Sequence, residues 1–137
     1  MNRIRVGLVG AGFVAPMHVR GWRLAGAEVA AITSRDRVSA EERARSLGIS
    51  RVFPSAASML DAGIVDVLDV VSPPSTHREY VLAALDRGLA VMCQKPLAGN
   101  LEDARAIARA SAGARVMVHE NWRFRSWYRA LRELLSA

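Results

Sequence analysis

Val6-Gly7-Leu8-Val9-Gly10-Ala11-Gly12-Phe13-Val14-Ala15 lies almost at the start of the chain and reads as a buried strand, a glycine turn and the first residues of a helix. Gly10, Gly12 and Ala15 supply G-x-G-x-x-A. In a dinucleotide-binding turn of this form the first glycine makes the tight bend, the second lets backbone approach a pyrophosphate, and the third position needs only to be small. A helix opening at about Phe13 would aim unpaired N–H groups, those of Phe13 and Val14 among them, and the positive end of its dipole at the phosphates. Pro16 suits that first turn, which can spare an N–H. Two other readings share the motif. Glycine turns also occur where a strand packs close to a helix, and methyltransferases that bind a nucleoside cofactor place one after their first strand.

The 137 residues suit one domain, and a hydrophobic content of 51% supports a buried core. No apolar run is long enough to cross a bilayer, and the glycines after Arg3 and Arg5 argue against a signal peptide, so the expected compartment is the cytoplasm. Cys93 is the single cysteine, which excludes an internal disulfide framework; it sits in an apolar run and reads as a buried thiol. His18, His77 and His119 lack the paired spacing of a zinc site, so no metal is expected. The net charge of +6 comes from arginines spread along the chain, which points to solvated surface rather than to nucleic acid. Of 19 basic residues only Lys95 is a lysine, the one side chain of the set suited to titratable amine chemistry.

Strand and helix signals alternate along the chain, as in a doubly wound parallel sheet of the α/β class. Strands are expected at about 3–9, 28–33, 51–53, 65–71, 89–93 and 114–118, in the order 3-2-1-4-5-6 of a Rossmann fold. Helices should run between them, with capping boxes at Ser39/Glu42 and Thr76/Glu79, an Asn100 cap, and Leu101, Ala104, Ile107 and Ala108 on one apolar face. Residues 1–120 would form this domain and 121–137 a closing helical segment.

Polar and glycine-rich stretches follow successive strands: Gly10 to Gly12, Ser34 to Arg37, Ser72 to His77, Gln94 to Pro96, and His119 to Asn121. A parallel sheet brings all of these to one edge, where open α/β folds bind ligands. At the end of the second strand an acidic residue would accept bonds from an adenosine ribose and repel a 2′-phosphate. Thr33-Ser34-Arg35 stands there instead, favouring NADP over NAD; Asp36 would be the ribose partner if the strand ended later.

The Gly7-to-Phe13 turn with His18, the Pro73-to-His77 loop, Cys93-Gln94-Lys95-Pro96-Leu97-Ala98 and His119-Glu120-Asn121-Trp122-Arg123-Phe124 together resemble the glucose-fructose oxidoreductase, inositol dehydrogenase and rhizopine-catabolism family (Gfo/Idh/MocA). The resemblance covers essentially the whole chain. It implies a nicotinamide-dependent oxidoreductase acting on sugars, polyols or related hydroxy compounds, with Lys95 as the lysine beside the nicotinamide ribose and the substrate oxygen. An ammonium there would donate to a carbonyl as it gains hydride, or steady an alkoxide in the reverse direction.

The expected cofactor contacts are Gly10, Gly12, Phe13, Val14, Ser34, Arg35, Arg37, Ser72, Pro73, Pro74, His77, Gln94, Lys95 and Asn121, with Lys95 the catalytic candidate. His77, in the first turn of a helix, suits ribose or nicotinamide contact better than acid catalysis, and His119 has no assigned role. Two features depart from the family pattern. Gln94 stands where the hallmark Glu-Lys-Pro has its glutamate, and the chain ends at Ala137, whereas the family continues into a second domain that supplies most substrate contacts. The expectation is therefore an N-terminal piece, with residues 121–137 leading toward an absent substrate domain, that binds cofactor with little turnover. A non-catalytic nucleotide-sensing or protein-interaction module on the same fold is the alternative. Trp122, Phe124, Trp127 and Tyr128 crowd into the closing segment, which predicts an exposed apolar patch and a homo-oligomer.

Overall fold

Side chains along the first strand are buried on alternate faces of the sheet, and that alternation sets the layers. In the computed structural model, which describes residues 3–136, β1 (Arg5–Val9) sends Val6 and Leu8 to one face of the sheet and Val9 to the other. Around it run α1 (Ala15–Leu24), β2 (Glu28–Thr33), α2 (Arg37–Leu47), β3 (Arg51–Phe53), α3 (Ala56–Asp61), β4 (Val67–Val70), α4 (His77–Leu85), β5 (Ala90–Gln94), α5 (Leu101–Ala110), β6 (Val116–His119) and α6 (Ser126–Leu135). The six strands are all parallel, in the order β3-β2-β1-β4-β5-β6, as the alternating pattern predicts. One core joins Ala15, Val19 and Ala44 of α1 and α2 to the sheet; the other joins Met59, Val81, Ala84 and Ile107 of α3, α4 and α5 to its opposite face. Gly7 faces Met59 of α3 and Val65, and a Cβ there would sit 3.0 Å from each, so only glycine fits without a shift.

Several local expectations are corrected. Asp36, not Ser39, caps α2: its carboxylate accepts from the N–H groups of Val38 and Ser39 and from the Ser39 hydroxyl, so the Ser39/Glu42 box does not form. An acceptor three residues earlier satisfies the N–H groups of an earlier first turn, and the helix starts there. The Thr76/Glu79 box is also absent, because Pro74–Thr76 form a 3-10 turn and the Thr76 hydroxyl donates to the Pro73 carbonyl instead. On α5 only Ile107 is buried; Leu101 and Ala108 are exposed, so the apolar face is narrower than the sequence suggests. Asn100 does cap that helix, accepting from the Asp103 N–H at 2.8 Å.

The last segment packs differently from everything before it. Glu120 through Ser136 are all exposed, including Trp122, Phe124, Trp127, Tyr128 and Leu131. The aromatic rings stack on each other, Trp127 lying 5.7 Å from Trp122 and 4.5 Å from Tyr128 between centroids. No helix among the described residues is long and apolar enough to cross a membrane.

Candidate functional site

The glycine turn sits between the ends of two neighbouring strands. The Gly10 N–H donates to the Thr33 carbonyl of β2, and the Val71 N–H donates to the Val9 carbonyl, so the turn leaves β1 with β2 and β4 on either side. Gly10 has φ +117°, and a Cβ there would lie 2.9 Å from the Ser72 nitrogen and the Val71 carbonyl. Both constraints demand glycine. Gly12 is different, since a Cβ there would meet nothing within 4 Å. Open space on that side is what a turn needs if a ligand is to lie against its backbone.

α1 begins beside this space without a side-chain cap and without an acidic residue in its first turn. Among the described residues, no acceptor is seen for the N–H groups of Phe13 and Val14. The positive end of the helix is therefore uncompensated. Beside the glycine turn lies a cavity of about 530 Å³, lined by Gly10, Ala11, Gly12, Ser34, Arg35, Asp36, Ser39, Ser72, Pro73 and Tyr80 among others; Phe13 and Val14 are not part of its lining. These residues fit a dinucleotide's pyrophosphate and adenosine. Arg43 of α2 donates to the Ala11 carbonyl at 3.0 Å and so holds the turn from the far side. The Ser72 hydroxyl donates to Thr76 Oγ1 at 2.7 Å, because the Thr76 proton is already spent on Pro73.

The expected contacts separate into those that line this cavity and those that do not. Gly10, Gly12, Ser34, Arg35, Ser72 and Pro73 line it. Arg37 turns away, its guanidinium bonded to Glu41 one helical turn on, at 2.8 Å. Pro74 starts the 3-10 turn, and Asn121 lies exposed beyond β6; neither reaches the cavity. His77 requires the largest correction. Its side chain is fully buried, with Nε2 2.9 Å from the Ser72 carbonyl and Nδ1 3.1 and 3.2 Å from those of Pro96 and Leu97. The ring ties the loop after β4 to the loop after β5, and no face of it is left for a ribose.

At the end of β5 the bonds are long in sequence. Asp69 of β4, wholly buried, accepts from Trp22 Nε1 at 2.7 Å and lies 2.9 Å from His18 Nδ1; His18 and Trp22 stand four residues apart on one face of α1. Gln94 Nε2 is 3.0 Å from His18 Nε2 and 3.4 Å from His119 Nδ1, while Gln94 Oε1 accepts the Lys95 N–H at 2.7 Å. The two imidazoles meet edge to face at 4.6 Å. Burial above all holds the His119 ring below the usual histidine range. Burial pushes the Cys93 thiol up to about 12, as expected for an inert core cysteine. Lys95 itself is exposed at the head of this loop, and its peptide to Pro96 is cis.

Asp69, Trp22 and Arg43 carry no motif, and the sequence does not single them out as site residues. Asp69 alone had a local signal, a carboxylate inside an otherwise apolar strand, which predicts a buried donor without saying which one.

The family described as "Oxidoreductase family, NAD-binding Rossmann fold" (GFO_IDH_MocA) matches residues 4–122. D-apiose dehydrogenase of Paraburkholderia graminis is 38% identical over 90% of this chain, which spans 34% of that protein. Inositol 2-dehydrogenase 3 of Saccharopolyspora erythraea is 37% identical over 98% of the chain, which spans 41% of that protein. Among solved structures, myo-inositol dehydrogenase from Lactobacillus casei in complex with NAD(H) and myo-inositol superposes with a TM-score of 0.89 at 32% identity, covering 98% of this chain and 42% of its own. With a glycine turn, an uncapped helix and a Gln94-Lys95-Pro96 loop gathered on one sheet edge, the chain belongs to the Gfo/Idh/MocA oxidoreductase family, as its NAD-binding Rossmann domain.

Proposed function

We propose that this chain binds a nicotinamide dinucleotide along the sheet edge and serves, within a longer protein, an oxidoreductase acting on a sugar, polyol or related hydroxy compound. The carrying observation is the uncapped N-terminus of α1 beside the open face of Gly12. In this reading the pyrophosphate lies against Gly10 to Val14, the adenosine ribose reaches Ser34 and Arg35, and the nicotinamide extends toward Lys95. The bound dinucleotide supplies or accepts the hydride. Lys95 donates a proton-bearing bond to the substrate oxygen, stabilising the charge that develops there. The names of the relatives, which act on apiose and inositols, support the substrate class.

NADP is the preferred form in this proposal. Asp36, the acidic group nearest the ribose position, is engaged as the cap of α2, and the Ser39 hydroxyl above all holds its carboxyl below the usual range. Arg35 lines the cavity, as Tyr80 does, and is exposed, which leaves its guanidinium available to a 2′-phosphate. Titration with NADPH and NADH, followed by fluorescence and heat, tests both levels. NADPH is expected to bind more tightly, and Arg35→Ala to remove about 10- to 100-fold of that advantage. A preference for NADH would return the ribose contact to Asp36. Binding of neither would overturn the dinucleotide reading. Self-association through the exposed face of α6 belongs to the same proposal; light scattering should give a mass above the monomer, and a strictly monomeric chain would exclude it.

A further inference from the structure

We propose that His18 and His119 are neutral positioning residues for Lys95, clasped in opposite tautomers by the Gln94 amide. A backbone N–H can only donate, so the Lys95 N–H at 2.7 Å identifies the Gln94 oxygen as its acceptor. The other end of the amide is then the NH2 group, whose two protons point to His18 Nε2 and His119 Nδ1 at 3.0 and 3.4 Å. Both of those ring nitrogens must accept. His18 therefore carries its proton on Nδ1, where Asp69 takes it at 2.9 Å, and His119 carries its proton on Nε2.

Asp69 is further fixed by Trp22, so a continuous chain runs from β4 through α1 to the backbone of Lys95. The groups facing His18 are Asp69, Trp22, Gln94 and His119, one from each neighbouring element and one from its own helix. An amide is the side chain this arrangement needs, because it is both the acceptor for Lys95 and the donor to two lone pairs. A carboxylate at position 94 would offer only acceptors and leave the two ring nitrogens without a donor. The role assigned to the histidines rests on the reading of Lys95 beside the nicotinamide; the tautomers do not.

Long-range 15N–1H spectra of the imidazole rings in the wild-type chain, assigned with His18→Gln and His119→Gln, test the tautomers without any cofactor. The expected result is a proton on Nδ1 of His18 and on Nε2 of His119; the reverse pattern, or two protons on His18 at neutral pH, overturns the proposal. In Gln94→Leu the Lys95 amide proton should exchange about tenfold faster, the loss of one hydrogen bond. The positioning role is read by comparing NADH with ADP-ribose, which lacks the nicotinamide. Gln94→Leu is expected to weaken NADH and leave ADP-ribose unchanged, whereas equal loss of both overturns the positioning role. If the wild-type chain binds neither molecule, the functional reading fails and the ring spectra stand by themselves.

Discussion

The two ends of the cofactor crevice are built in opposite ways. At the β1 and β2 end the backbone does the work: Gly10 and Gly12 shape the turn, α1 offers bare N–H groups, and Asp36 caps its own helix from within three residues. At the β5 end side chains do it, through partners 51 residues apart for His18 and Asp69 and 76 apart for Gln94 and His18. Tolerance to substitution differs between the two ends accordingly. A phosphate is recognised by main-chain donors and a dipole, which any sequence keeping the turn can supply. A lysine held in one place needs a surrounding lattice of specific groups, and each removal leaves a buried partner unsatisfied.

Removing Asp69 should break the β5 end most severely. Asp69→Leu leaves His18 Nδ1 and Trp22 Nε1 with no acceptor inside the sheet, and is expected to cost about 3–5 kcal/mol in urea unfolding. A loss under ~1 kcal/mol would show that the network is ornamental to stability.

The two glycines of the turn sharpen the contrast at the other end. Gly10→Ala combines a positive φ with a Cβ 2.9 Å from backbone, and should cost about 2–3 kcal/mol. Gly12→Ala should change stability by no more than about 0.5 kcal/mol, because its methyl enters open space. The same methyl fills the room assigned to the pyrophosphate, so NADH affinity should fall by about tenfold. If Gly12→Ala bound cofactor normally, the pyrophosphate would lie elsewhere.

The smallest effect is expected at the opposite edge of the sheet, away from both ends of the crevice. Asp66 receives the Arg5 guanidinium and backbone N–H, which lower its carboxyl from 3.8 to about 2. A carboxyl depressed in the folded state stabilises above its unfolded value, and that contribution is lost as pH falls from about 4 toward 2. More than 40% of each side chain is exposed, so solvent screens the pair and the effect is modest. The Tm difference between wild type and Asp66→Asn should shrink across that window; a constant difference would remove the pair from the acid limb.

Local pattern in the chain carried the fold a long way. Strand and helix alternation, the glycine spacing and five convergent turns are enough for the parallel sheet and its strand order, because each depends on residues within a few positions of one another. Sequence alone puts the cap of α2 three residues late, since Asp36 and Ser39 both offer oxygen acceptors and only backbone geometry chooses between them. His77 looked like a ligand contact because it follows a strand, yet folding turns it inward onto carbonyls of two loops. Asp69 and Trp22 drew no attention as site residues for the same reason in reverse. Their function in the site exists only where α1, β4 and β5 meet, and hydrogen bonds across that distance leave no periodicity in the chain.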